Sequence, residues 1–210
     1  MRLCPVVLLL LCAGCGWEPG RPVGIDVPRP EQVLDFAALY KENCAACHGA
    51  NGKNGAALSL ANPVYLAVAG ETNLRTVIAK GVPGSLMPPS AKTAGGMLTD
   101  QQINVIVQGM IKNWGGGTIT APAYASSTTG DATAGKLGFK TFCARCHGAD
   151  GKGLIDPSYL ALVSDQSLRS WIIAGQPDEG MPDWRSDAAK PMTDPEITNV
   201  VAWLAANRKR

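Results

Sequence analysis

The 210-residue chain contains two histidines, and each stands directly behind a Cys-x-x-Cys pair: "CAACHG" runs from Cys44 to Gly49 and "CARCHG" from Cys143 to Gly148. Aligning Cys44 with Cys143 brings the two halves into register well beyond the cysteines. "CHGANGK" faces "CHGADGK", "NPVYLA" faces "DPSYLA", "NLRTVIAKGVPGSLMPP" faces "SLRSWIIAGQPDEGMPD", and "LTDQQINVIVQGM" faces "MTDPEITNVVAWL". An insertion, "NGAALSLA", follows Lys53 in the first copy only. A unit this long, present twice, makes tandem domains rather than a solenoid. The domains are expected at 31–115 and 131–210, with 116–130 between them, where "GGGTITAPAYASSTTG" has the composition of a linker.

Both copies share one coarse layout. A helix over "PEQVLDFAALYKEN" or "DATAGKLGFKTF" leads into the cysteine motif. A middle helix near "NLRTVIAKG" and "SLRSWIIAG" is stopped by Gly and then Pro. A Met-containing loop follows. The last helix begins after Thr99 and Thr193, residues suited to cap it, with acids in the first turn and Pro195 tolerated there. Apolar residues then recur at helical spacing, Ile103, Ile106, Val107 and Met110 against Ile197, Val200, Val201 and Leu204. No segment alternates as a strand does, so the fold class is all-α with long loops. The chain holds 24 Gly and 15 Pro and is only 6% aromatic. Small domains of that composition struggle to bury enough surface, which points to a staple or a non-protein group inside each. The net charge of +2 gives no strong attraction for nucleic acid.

Two cysteines three apart with His next admit three chemistries. A dithiol redox site needs only the cysteines. A zinc site could combine both pairs as four thiolates and leave each His without a role. Covalent attachment of haem uses all three residues: two thiols for the two vinyl groups, and an imidazole for the iron. One helical turn keeps both sulfurs on one edge of the porphyrin. Cys44, Cys47, Cys143 and Cys146 are therefore expected to carry two haem c groups, with His48 and His147 as iron ligands. No other His exists for the second axial position, and Met sulfur is the usual alternative. Met87 and Met181 alone occupy equivalent positions, each before a Pro (Pro88, Pro182). Met97 and Met192 are fallbacks that do not align with each other, and Met110 lies on an apolar helix face.

The N-terminus reads as an export signal. Arg2 supplies the positive start, "VVLLLL" the short apolar run, and Ala13 and Gly14 the small residues. The run is too short to span a bilayer. "LLCAGCG" resembles the end of a bacterial lipoprotein signal, with Cys12 where Leu is usual. That resemblance implies a signal over 1–14, lipidation of Cys15, and a Pro- and Gly-rich tether over 15–30 that anchors an exported protein to a membrane.

Each half resembles a small bacterial class I cytochrome c, and the whole resembles the dihaem cytochromes c with two such domains in tandem. The resemblance covers almost all of the chain after the tether. It implies that the carbonyls of Pro63 and Pro157 accept the proximal imidazole N–H and fix its tautomer. It also implies a close crossing of first and last helices, a Gly against an aromatic. The second domain fits with Gly135, four before Phe139, facing Trp203. In the first, Phe36 and Gly109 exchange the large and small partners. Tyr40 and Phe139 are expected as core aromatics. Arg75 and Arg169, matched across copies, are candidates to pair with a haem propionate. The implied function is single-electron transfer, with a quinol-oxidising complex or dehydrogenase as donor and a terminal oxidase or reaction centre as acceptor. The alternatives are a cytochrome subunit of a larger oxidoreductase complex and a dihaem enzyme such as a peroxidase or a thiosulfate-oxidising cytochrome. The acidic "PDEGMPDWRSD" around Met181, with Asp178, Glu179, Asp183 and Asp187, contrasts with the nearly uncharged "PGSLMPPSAK" around Met87, and is expected to lower the second haem's potential relative to the first.

Overall fold

The structure is a computed structural model describing residues 27–185 and 189–208; the expected signal over 1–14, Cys15, most of the tether and Asp187 lie outside the described residues. Every named element among those residues is helical, and extended pairing is confined to two isolated bridges, Ala91 with Leu98 and Gln176 with Met181. No helix among them is long and apolar enough to cross a membrane.

In the first domain α1 (Phe36–Asn43) runs into the single turn α2 (Ala45–His48). The α1 helix starts later than its sequence pattern suggests. The Asp35 side chain accepts the Ala38 N–H and so caps the helix there, while Pro30–Gln32 winds as a separate 3-10 turn. Asn62 caps α3 (Pro63–Lys80), which is broken at Gly70, and α4 (Asp100–Trp114) closes the domain. The second domain repeats the plan with α5 (Ala132–Phe142), α6 (Ala144–His147) and α9 (Asp194–Ala205), and α7 (Pro157–Leu160) and α8 (Asp165–Ala174) stand as two separate helices where α3 is only kinked at Gly70. Thr99 and Thr193 cap the last helices through reciprocal capping boxes with Gln102 and Glu196. The apolar faces read from α4 and α9 are buried throughout, each in its own domain's core.

The crossing of first and last helices is as crowded as expected. A Cβ at Gly135 would lie 1.9 Å from the Asn199 carbonyl oxygen and 2.9 Å from the Trp203 Cβ, and one at Gly109 would lie 2.1 Å from the Phe36 ring. The exchange of large and small partners is thus present. Both domains then lay an indole over the glycine four residues after the motif His. Trp203 reaches Gly151 from within α9, whereas Trp114 reaches Gly52 from the end of α4 and packs edge-on against Phe36 and Tyr40. Trp114 carried no sequence signal, because it does not align with Trp203.

The segment between the domains is packed down. Tyr124 lies on the first core, while Ile119 and Ala121 lie on the second. Arg169 is 3% exposed and donates to the carbonyls of Ala123 and Tyr124, to the Thr198 hydroxyl and to Asp194. Arg75 pairs with Glu71 one turn away on its own helix, at 2.7 Å. Arg169 is committed to protein partners, which corrects the expectation that it serves a propionate. A buried guanidinium is tolerated only with its donors paired, and here Asp194 and the strap carbonyls pair them.

Candidate metal centres

The two Cys-x-x-Cys-His turns are near copies. The Cys44 carbonyl accepts the N–H groups of Cys47 at 3.2 Å and His48 at 3.0 Å, and Cys143 does the same for Cys146 at 3.1 Å and His147 at 3.0 Å. The single turn holds both thiols and the imidazole on adjoining edges. It ends at Gly49, φ 78°, and Gly148, φ 72°, in a conformation that L side chains rarely adopt. A Cβ at Gly49 would also lie 1.9 Å from the Lys53 carbonyl oxygen, so the Gly after each His is dictated by the backbone.

None of the four motif cysteines is paired in a disulfide; Cys47 and Cys146 are exposed, Cys44 and Cys143 half-buried. Burial, with the neighbouring Cys47 or Cys146 adding to it, pushes the Cys44 and Cys143 thiols up to about 11. A thiol-exchange site needs the opposite, a depressed thiol that is thiolate at neutral pH. No three His, Cys, Asp or Glu side chains converge among the described residues, so the two pairs do not form a four-thiolate centre.

His48 Nδ1 lies 2.8 Å from the Leu58 carbonyl oxygen. A carbonyl only accepts, so Nδ1 carries the proton. Burial lowers the pKa of the ring, and the Leu58 bond opposes this in part, leaving the net shift downward. The result is a neutral imidazole with its lone pair on Nε2, the form that binds a metal. The acceptor corrects the reading of Pro63. The insertion after Lys53 brings Leu58 to the tenth place after His48, and Pro63 instead opens α3 behind its cap Asn62. Pro157 opens α7 behind Asp156, and its carbonyl receives the Ala161 N–H. A residue without an N–H and with φ preset suits the first helical position.

The two Met loops also repeat. The Val82 N–H donates to the Met87 carbonyl at 3.0 Å, and the Gln176 N–H donates to the Met181 carbonyl at 2.9 Å. Gly81 and Gly175 precede these residues, both with φ 67°, and a Cβ on either would press to 2.6 Å of the Met carbonyl oxygen. Met192 and Met110 are buried in the cores and Met97 is 79% exposed, so the fallbacks share no common site. The donor set fits haem c: paired thiols on one turn, an imidazole beside them, and a Met loop of the same build in each half. The second domain adds an orphan. The buried Trp171 Nε1 has no partner among the described residues, a vacant donor that a group carrying acceptors can satisfy.

The acidic loop is less free than its composition suggests. Asp178 accepts from the Ser59 hydroxyl at 2.6 Å and the Asn54 N–H at 2.8 Å, both in the first domain, and Asp183 binds Arg185. Burial acts to raise the Asp178 pKa, but the Ser59 and Asn54 bonds, its own N–H and the charge of Lys53 outweigh it and the net shift is downward.

The model of the family described as cytochrome C oxidase, cbb3-type, subunit III matches residues 31–108 and 130–204. The chain is 30% identical over 190 residues to the cbb3-type cytochrome c oxidase subunit CcoP of Rhodobacter capsulatus, covering 80% of this chain and 60% of that protein. It is 28% identical over 170 residues to the subunit FixPc of Rhizobium leguminosarum bv. viciae, covering 72% of this chain and 54% of that one. The chain therefore spans about 60% or less of the length of these curated relatives. Among solved structures, a chain of the Kuenenia stuttgartiensis reducing HAO-like protein complex superposes with a TM-score of 0.48 at 18% identity, over 88% of this chain and all of that one.

Proposed function

The chain belongs to the family of cytochrome c oxidase, cbb3-type, subunit III, and on that premise we propose that it is a dihaem electron-transfer subunit. One haem c is held through Cys44 and Cys47 and a second through Cys143 and Cys146. His48 with Met87, and His147 with Met181, would hold the two irons. Held in this way, the groups would supply one-electron exchange. The chain's own groups do the positioning. The Leu58 carbonyl fixes the His48 tautomer, Gly49 and Gly148 end the motif turns, and the bonds from Val82 and Gln176 hold each Met loop against its domain.

The observation that carries this reading is the repetition of the whole donor set, thiols, imidazole and Met loop, in the two halves of the chain. The relatives are named as subunits of an oxidase, which favours the subunit reading over a freely diffusing carrier. A terminal oxidase is then the acceptor, with a quinol-oxidising complex or dehydrogenase as donor. The exported chain is tethered to the membrane through a lipid on Cys15.

The test is a haem stain on a denaturing gel, an intact mass and a spectrum of the oxidised protein, made in a host that exports and attaches haem. The expected result is two covalent haems, sulfur-to-iron charge transfer, and acyl mass on Cys15. Colourless protein, or no added mass on either cysteine pair, overturns the reading. Co-purification of an oxidase with the chain from membranes distinguishes subunit from carrier.

A further inference from the structure

The insertion peculiar to the first domain does more than supply an acceptor to His48. The Leu58 carbonyl and the Ser59 N–H belong to one peptide group. Its oxygen receives the His48 Nδ1–H at 2.8 Å, and its N–H donates to the side-chain Oε1 of Gln176 in the second domain at 2.9 Å. The backbone of Gln176 in turn is paired both ways with Met181, N–H to carbonyl at 2.9 Å and carbonyl to N–H at 3.0 Å. One peptide and one amide side chain therefore join the imidazole of the first site to the Met loop of the second.

This junction is dry and specific. Ser59 is 2% exposed and Asn62 1%. The Ser59 hydroxyl binds Asp178, and the Asn62 amide binds the Ala174 carbonyl at 2.9 Å. The first domain has no reciprocal device. The residue matching Gln176 is Val82, which has no side-chain acceptor, and the 58–59 peptide lies in an insertion with no counterpart in the second domain.

Resting on the haem reading above, we propose that Gln176 is a positioning residue for the first centre. Its Oε1 polarises the Leu58–Ser59 peptide and so sets the basicity of His48 from across the domain interface. An acceptor on a peptide N–H shifts electron density to the peptide oxygen, so hydrogen bonds in series strengthen one another. A stronger bond at Nδ1 makes the imidazole a more basic ligand. A more basic ligand favours ferric iron. The link joins the second domain's Met loop to the first domain's His.

Two measurements on the full haem-loaded chain test it. With only two histidines, ¹⁵N-histidine labelling yields two imidazole Nδ1–H signals in the reduced protein, and His48 is recognised by its proximity to Leu58. Redox titration gives two midpoint potentials. Gln176→Leu is expected to move the His48 signal toward a weaker hydrogen bond and to raise one potential, leaving His147 and the other potential in place. Gln176→Glu, which keeps an acceptor, is expected to hold both at or beyond their original values in the opposite direction. Ser59→Ala keeps the peptide N–H while loosening the same interface, and is expected to leave both readings unchanged. The proposal is overturned if Gln176→Leu shifts neither reading or shifts the second centre, if Ser59→Ala reproduces its effect, or if Gln176→Glu behaves as Gln176→Leu does. Absence of covalent haem in the unmodified protein overturns the haem reading itself, whereas loaded protein with unmoved potentials overturns the coupling alone.

Discussion

At the helix crossing of the first domain the Phe36 ring covers Gly109, while at the second Gly135 lies against the α9 backbone at Asn199. The two arrangements fill equivalent space but differ in what stands opposite the missing Cβ, a movable ring in one and a fixed carbonyl in the other. Interiors tolerate exchange of volume between partners better than net gain, so tandem copies can diverge in pairs without losing the fold. The same domains differ at the site. The first fixes its imidazole with a carbonyl from an inserted loop, and that loop is clasped by the second domain.

The sharpest way to break this comparison is at the glycines. Gly135→Ala is expected to destabilise the second domain by about 3 kcal/mol in thermal or denaturant unfolding, because the Asn199 carbonyl cannot retreat without parting the helices. No truncation of Trp203 rescues it. Gly109→Ala meets only a side chain, so its effect and that of Phe36→Ala are non-additive, with a coupling of about 1–2 kcal/mol in a double-mutant cycle. Additive melts at Gly109 and Phe36, or rescue of Gly135→Ala by Trp203→Ala, would break the distinction between ring and backbone.

The matched arginines come next. Arg169→Ala leaves Asp194 and the linker carbonyls without their shared partner and is expected to cost about 2–3 kcal/mol. Arg75→Ala removes an exposed pair on one helix and is expected to cost about 0.5 kcal/mol or less. Equal losses in the two melts would contradict the different burial of two residues that align.

A third contrast sets Asn62 against Asp156. Each caps the helix behind its proline, a role worth about 1 kcal/mol. Asn62 also donates to the Ala174 carbonyl across the interface, so Asn62→Ala is expected to cost about 1 kcal/mol more than Asp156→Ala.

The smallest effect is one of pH. Asp178 is held below the usual aspartate range in the folded chain, so its contribution is present above the unfolded value and is lost as pH falls through the lower folded one. Protection factors against hydrogen exchange at the Asn54 and Ser59 amides are expected to fall on acidification through that range, and Asp178→Asn is expected to flatten the profile. A profile unchanged in Asp178→Asn would assign the acid sensitivity to another group.

Much of this architecture was legible residue by residue. The threonine caps, the apolar faces of α4 and α9 and the pairing of Met87 with Met181 rest on local chemistry or on register between copies, and a linear string preserves both. The late start of α1 was missed because Asp35 looks like any polar residue within an amphipathic run until its side chain is seen to take the Ala38 N–H. Trp114 was missed because it reaches Gly52 from a position with no counterpart in the second copy. Arg169 was misread because alignment with Arg75 carries no information on burial, and burial decides whether a guanidinium meets solvent or protein acceptors.

The spacing of thiols and imidazole, the number of histidines and the doubling of the unit were enough to establish the class of chemistry and the all-α plan, because covalent attachment and metal ligation demand particular side chains at particular intervals. Which carbonyl holds the His48 ring, and what lies beyond that carbonyl, belonged to the tertiary structure. Every residue has a peptide oxygen, so nothing in the identity of Leu58 marks it as the acceptor. Only the path of the inserted loop, pressed between two domains and clasped by Gln176 and Asp178, selects that group and links the first domain's imidazole to the second domain's Met loop.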